Sequence, residues 1–280
     1  MSYFYSDVLP PELKLYTDGD VLYITHNAGF FSNASICLFN IVQFFNIFKR
    51  LPRVVDRSFQ YDSYKINRND NLVPLYFKSV DGDIVYEKNI EVVIPDYSPQ
   101  FTNYNNICFA DLKPFMEKYF GISDRVSEIV QEFETKYNLD YDSLCSVYYR
   151  GNDKSIETQI ATHEDFINKC KEIKEKDPNI KFLVQTDETD FLESFLKVFE
   201  DSVNFAELPH IRKTRTVVHY VLDRNVLPTF AQNFLAATIC VSKCKYLVTH
   251  SGNCGFWSVM YRGGMHNVHQ FLEGEWIESK

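Results

Sequence analysis

The sequence has no surplus of positive charge. In 280 residues, 29 Lys and Arg stand against 38 Asp and Glu, giving a formal net charge of -9 and a pI near 5.3. That balance argues against general nucleic-acid binding, which needs a basic stripe to displace counterions, and leaves room only for a local basic cleft. Long apolar runs are missing too. The longest, Ile36 to Phe48, is broken by Asn40, Gln43 and Asn46 and is too short to span a bilayer. The opening MSYFYSDVLPPELKLY has no basic segment with an apolar stretch behind it, so no signal peptide is predicted and a soluble, cytoplasmic protein is expected. The seven cysteines (37, 108, 145, 170, 240, 244, 254) are odd in number and scattered, as reduced core cysteines are. Cys240 and Cys244 lie one helical turn apart, but no second Cys or His pair completes a zinc site.

The length suits one large domain or two ordinary ones, and two are expected. Aromatic residues make up 16% of the chain, mostly 24 Phe and 18 Tyr, more than a core requires. Some tyrosines are expected to line a cleft for a planar or sugar-like ligand.

The most informative stretch is Cys145 to Thr158, CSVYYRGNDKSIET. A strand-forming run ends on Arg150, followed by the polar residues Gly151, Asn152, Asp153 and Lys154. Ligands in open α/β sheets sit beyond the carboxyl ends of the strands, so a cation there faces what is bound. Arginine suits phosphate because its planar fork donates two parallel hydrogen bonds and keeps its charge. The plainer alternative is a polar turn in which Arg150 pairs with Asp153.

A Rossmann-type opening precedes it: strand Val21 to Thr25, a turn through His26, Asn27, Ala28, Gly29 and Asn33, a helix from about Ala34 to Lys49, and a second strand at Val54-Val55 ending on Asp56. The turn lacks the three glycines of a dinucleotide fingerprint. Residues 58 to 72 read as a loop over the cleft. Leu75 to Val85 reads as a hairpin about Asp81-Gly82, and Glu91 to Ile94 as a strand. The triplets Asp18-Gly19-Asp20 and Asp81-Gly82-Asp83 read as turns rather than metal motifs.

Helices are predicted at about 112 to 120 and 124 to 137, the second capped by Ser123. In the second half the βα rhythm restarts: a helix near Glu164 to Glu175, strand Phe182 to Gln185 delivering Thr186 and Asp187, and a helix from Asp190 to Phe199. A strand at Val217 to Val221 and helix Thr229 to Ser242 follow. Strand Tyr246 to Thr249 then runs into His250, Ser251, Gly252 and Asn253 and helix Cys254 to Tyr261. The tail from His266 has no assigned place.

VYYRGNDK, TDE and THSGNCGFW, in this order over residues 140 to 262, resemble the fucosyltransferase-like superfamily of GT-B glycosyltransferases, which includes the α1,6-, α1,2- and protein O-fucosyltransferases. Gly29-Phe30-Phe31-Ser32-Asn33 is similar to the Gly-x-Phe-x-Asn turn of the protein O-fucosyltransferases. The resemblance implies an α/β GT-B fold with two Rossmann-like domains facing a central cleft: residues 1 to 122 on the acceptor side, 123 to 140 bridging, and 141 to 280 holding a nucleotide sugar. It further implies that Arg150 meets the donor β-phosphate, with Asp153 and Lys154 beside it, that Thr186 and Asp187 lie near the nucleotide base, and that His250, Ser251, Gly252 and Asn253 receive the diphosphate. Asn33 falls on the acceptor side, and His26, Asn27 and Gly29 share its turn. The second arginine of the α1,6 enzymes is Gly151 here, and the histidine two residues before the first is Tyr148.

The expected activity is metal-independent transfer with inversion to a glycan hydroxyl, Asp153 or Glu157 being the candidate general base. Glu157 serves equally well as a helix N-terminal acid. GDP-fucose leads as donor, and a UDP-sugar such as UDP-xylose is the alternative. A glycan-binding module that kept the fold and lost the chemistry is the rival of another class. Length and composition look like the stand-alone enzymes of bacteria or large DNA viruses. No cofactor, nucleic-acid partner or membrane span is expected.

Overall fold

The computed structural model describes residues 17–18, 20–80, 90–94, 101–152, 159–212 and 216–279. Strand β1 (Thr17–Asp18) pairs antiparallel with β2 (Val21–Tyr23), and Gly19 of the Asp18-Gly19-Asp20 triplet lies outside the described residues. After helix α1 (Phe30–Phe48), β3 (Val54–Asp56) returns parallel to β2, completing a βαβ unit. The helix starts four residues before the expected Ala34. Gly29 is its extended N-cap, and Phe30 and Phe31 are buried on its first turn, so apolar residues assigned to the turn supply core contacts instead. By length and composition α1 is long and apolar enough to cross a membrane, yet more than half of its residues are buried within the fold.

Of the expected Leu75-to-Val85 hairpin only residues 75–80 are described. Pro74 sits in the first turn of a short helix α2 (Val73–Tyr76), where its fixed φ and missing N–H fit. Strand β4 (Phe77–Lys78) then pairs with β5 (Gly121–Ile122), far along the chain, and Asp81-Gly82-Asp83 lies outside the described residues. Nor does Glu91 to Ile94 join a sheet. The backbone of Val92 is instead held by the side chain of Asn46 on α1, whose Oδ1 accepts from Val92 N at 2.9 Å and whose Nδ2 donates to Val92 O at 2.8 Å. Helix α3 (Phe109–Tyr119) and helix α4 (Asp124–Lys136) follow. Ser123 caps α4 as expected, its hydroxyl accepting from Val126 N.

The second half forms one six-stranded sheet. In chain order it contains β6 (Leu144–Tyr149), α5 (His163–Lys176), β7 (Lys181–Thr186), α6 (Thr189–Leu196), β8 (Val203–Asn204), α7 (Leu227–Lys243), β9 (Tyr246–His250), α8 (Asn253–Arg262), β10 (Val268–Leu272) and β11 (Glu275–Glu278). The expected strand at Val217 to Val221 is a 3-10 turn over Val218–Tyr220. The strand order is β11-β10-β9-β6-β7-β8, parallel throughout except for β11. The unplaced tail thus extends this side of the sheet with β10 and the edge strand β11. From β6 the chain first builds outward through β7 and β8, then returns to β6's other side with β9. The sheet order therefore reverses between β6 and β9, and the crevice beyond such a reversal is where open α/β sheets bind ligands.

Side chains alternate across a strand, which sorts the core into two faces. Cys145, Val147, Tyr149, Phe182, Val184 and Val248 pack with α5 and α6. Tyr148, Leu183 and Leu247 pack on the other face, in a cluster that runs through α4, α7 and α8 into α1 and α3 of the first half. The first half therefore packs on α7 and α8, and α7 covers this face of the large sheet.

Candidate functional site

Arg150 follows β6 on the parity of Tyr148 and lies on the cleft face, and Asp187 follows β7 on the parity of Leu183 and lies there too. The two form an ion pair, Arg150 Nε to Asp187 Oδ2 at 3.3 Å, with side chains 20% and 14% exposed. Asp187 is thus a partner of Arg150 and helps to orient the guanidinium. Asp153, Lys154 and Glu157 lie outside the described residues. Arg150 Nη1 donates to Cys254 Sγ at 3.4 Å, which brings the cation to the first turn of α8. Tyr64 and Tyr148 adjoin both Arg150 and Cys254, and burial pushes their phenols up. At neutral pH they are neutral hydroxyls that do not compete with an anion for the arginine.

No side chain fits at Gly151 as the site stands. A Cβ there would overlap Glu188 Oε2 and crowd the Tyr149 ring. Glu188 is 1% exposed; its Oε1 meets His163 Nε2 at 3.0 Å, and its Oε2 has no hydrogen-bond partner among the described residues. The second arginine of the α1,6 enzymes is thus excluded by a buried acid, a feature the sequence alone does not reveal.

The turn after β9 is built differently from expectation. The Ser251 hydroxyl donates to Phe271 O at 2.7 Å and accepts from Gln270 Nε2 at 2.7 Å. Asn253 Oδ1 accepts from the Ser35 hydroxyl at 2.6 Å, and Ser35 in turn accepts from Trp257 Nε1 at 2.8 Å. Both side chains secure the turn instead of facing the cleft. The N–H groups of Asn253, Cys254 and Gly255 have no acceptor within α8 and carry the positive end of its dipole. Gly255 lets the helix start lie against the strand end, because a Cβ there would overlap His250 O and Thr249 Oγ1.

Two expected donor contacts lie on the wrong face. The Thr186 hydroxyl accepts from Glu188 N at 3.1 Å, and His250 packs among Tyr149, Phe166 and Phe271, on the side of α5. Burial, with the charge of Arg150 second, holds the His250 imidazole down to about 3. An unfolded histidine gains its proton as pH falls through about 6.5, whereas the native one stays neutral until about 3. Stability that is complete above the first value is therefore lost as pH falls toward the second. His250→Phe should flatten the fall of Tm between about pH 6.5 and 4. An unchanged acid slope would contradict this assignment.

The first-half turn is largely self-contained. Asn33 is fully buried; its Oδ1 accepts from Ala28 N at 2.9 Å and its Nδ2 donates to Ala28 O at 3.2 Å, so it closes the turn rather than reaching an acceptor. Asn27 Nδ2 donates to Phe59 O and Asn27 Oδ1 accepts from Asp62 N, tying the turn to the loop after β3. His26 Nε2 lies 3.2 Å from Ser32 Oγ, and burial lowers its pKa. Gly29 is exposed, and a Cβ at this position would meet open space, so sterics do not demand glycine there. The loop after β3 packs on the start of α1, where its Tyr64 hydroxyl accepts from Phe30 N at 3.2 Å.

No family model matches the sequence, and no curated protein matches it. Solved structures do. The fucosyltransferase NodZ from Bradyrhizobium is similar over 92% of this chain and 97% of its own, with a TM-score of 0.54 at 10% identity. NodZ α-1,6-fucosyltransferase soaked with GDP-fucose matches 61% of this chain and 54% of its own, at TM-score 0.41 and 10% identity. Arabidopsis thaliana FUT1 in complex with GDP matches 91% and 50%, at TM-score 0.40 and 12% identity. The chain spans about half the length of these last two. At such identities the first likeness is one of fold: the mixed α/β architecture is shared with a fucosyltransferase, as the GT-B resemblance implies.

Proposed function

We propose that the chain is a glycosyltransferase that moves a sugar from a nucleoside-diphosphate donor to a glycan hydroxyl. Residues 1–122 form its acceptor side, 123–140 bridge, and 141–280 form its donor side. The observation that carries this reading is the convergence of Arg150 and the free N–H groups of α8 at the reversal between β6 and β9. Helix N-termini and arginine forks both suit phosphate oxygens. As the glycosidic bond breaks, negative charge grows on the leaving diphosphate, and donors already fixed in place stabilise that charge without reorganising. Asp187 holds the guanidinium in position for this. A carboxylate in the segment after Arg150, Asp153 or Glu157, takes the proton of the acceptor hydroxyl as it attacks from the opposite face, which inverts the anomeric centre.

GDP-fucose is the proposed donor because the neighbour that shares the fold is a fucosyltransferase. A thermal-shift series with GDP, UDP, CDP and free sugars tests the reading. Stabilisation by a nucleoside diphosphate is expected, with GDP giving the largest shift. Stabilisation by glycans alone would contradict it and favour a binding module. Metal independence follows from the cationic site, because Arg150 and the α8 N–H groups supply the charge that a divalent ion supplies in other transferases. Transfer is expected to persist in EDTA. Complete loss, restored by Mn²⁺, would contradict this.

A further inference from the structure

We infer that the hydroxyl of Tyr104, contributed by the first half of the chain, sets the aim of the diphosphate site, an inference that rests on the donor reading above. Tyr104 OH accepts from Gly252 N at 3.0 Å and donates to Gly252 O at 3.0 Å. One hydroxyl thereby engages both polar groups of the residue that caps α8. Gly252 has φ 147 and ψ 171, a conformation that L residues rarely adopt, so the turn does not hold its shape through ordinary backbone preference.

The tyrosine is itself held firmly. Its N–H donates to Gln270 Oε1 at 2.9 Å, while Gln270 Nε2 donates to Thr102 O and to the Ser251 hydroxyl, each at 2.7 Å. Tyr104 and Gln270 are fully buried. Burying hydroxyl and amide groups costs free energy that an apolar core avoids, and every bond in this network ends on residues 251 and 252 or on the segment that carries Tyr104. The orientation of Gly252 fixes where the next three N–H groups point. Tyr104 is therefore a positioning residue that acts through the α8 backbone, and the first half of the chain is part of the donor site.

GDP and GMP titrations of the wild-type chain, Tyr104→Phe and Gly252→Ala test this, with UDP and UMP in their place if UDP binds more tightly. Tyr104→Phe should weaken GDP about tenfold, the effect of one lost hydrogen bond, and change GMP less than about twofold, with Gly252→Ala acting in the same direction. Tyr104 with a merely structural role would move Tm and leave the GDP-to-GMP ratio alone. An unchanged ratio in folded variants, or failure of both variants to fold, would overturn the inference. If the wild-type chain binds no nucleoside diphosphate, the donor reading itself fails, and this inference fails with it.

Discussion

Arg150→Ala is expected to lower kcat/KM for donor turnover by about 10²- to 10³-fold, the range found when one donor to a developing negative charge is removed. The geometry makes the loss specific. The guanidinium is mostly buried, is oriented by Asp187, and lies against the first turn of α8. Arg150→Lys recovers only part of the rate, because an ammonium keeps the charge and loses the fork. Were the arginine only a structural partner of Asp187, its removal would take an ion pair from a mostly buried carboxylate and lower Tm without a selective kinetic effect. Melting temperature and kinetics of the same variants separate the two. A folded, fully active Arg150→Ala chain would remove the basis for the donor site.

Trp257→Ala has the largest expected effect on stability. The indole is fully buried, stacks on Phe31 at 5.9 Å, packs on Phe120 at 4.8 Å and donates to Ser35. It joins α8 to α1 and so fixes the donor helix against the first half. Truncating such a ring costs about 3–5 kcal/mol, a fall in Tm of roughly 6 to 20 °C for a chain of this size. Trp257→Phe keeps most of the ring and loses the N–H, so about 1–2 kcal/mol is expected. A Trp257→Ala chain melting within about 2 °C of wild type would contradict this role for the contact.

The sequence made β6, β7 and β9 legible because each is an apolar, β-rich run that stops on polar residues. The helices were legible through their 3.6-residue period. β10 was not, because His269 and Gln270 interrupt its apolar pattern although Gln270 is fully buried. A weaker signal was present: Glu273 and Gly274, with φ of 50 and 91, form the two-residue connection between β10 and β11, and a glycine in such a link marks a hairpin. The Glu91-to-Ile94 segment pairs with no strand among the described residues, and the side chain of Asn46 on α1 bonds Val92 instead.

In the site, Arg150 was legible as a cation at a strand end. The facing of its neighbours was only partly so. His250 shares the parity of Val248, and the sequence does not say which parity faces the cleft. Tyr104 and Gln270 were out of reach, since their bonds to Gly252 and Tyr104 span 148 and 166 positions.

The most direct measurement is a crystal structure of the chain with the nucleoside diphosphate that stabilises it most. The β-phosphate is expected between the Arg150 guanidinium and the N–H groups of Asn253, Cys254 and Gly255, with hydrogen bonds of about 2.7–3.2 Å. A diphosphate bound away from the reversal between β6 and β9, with Arg150 still turned to Asp187 and making no contact with it, would contradict the donor site.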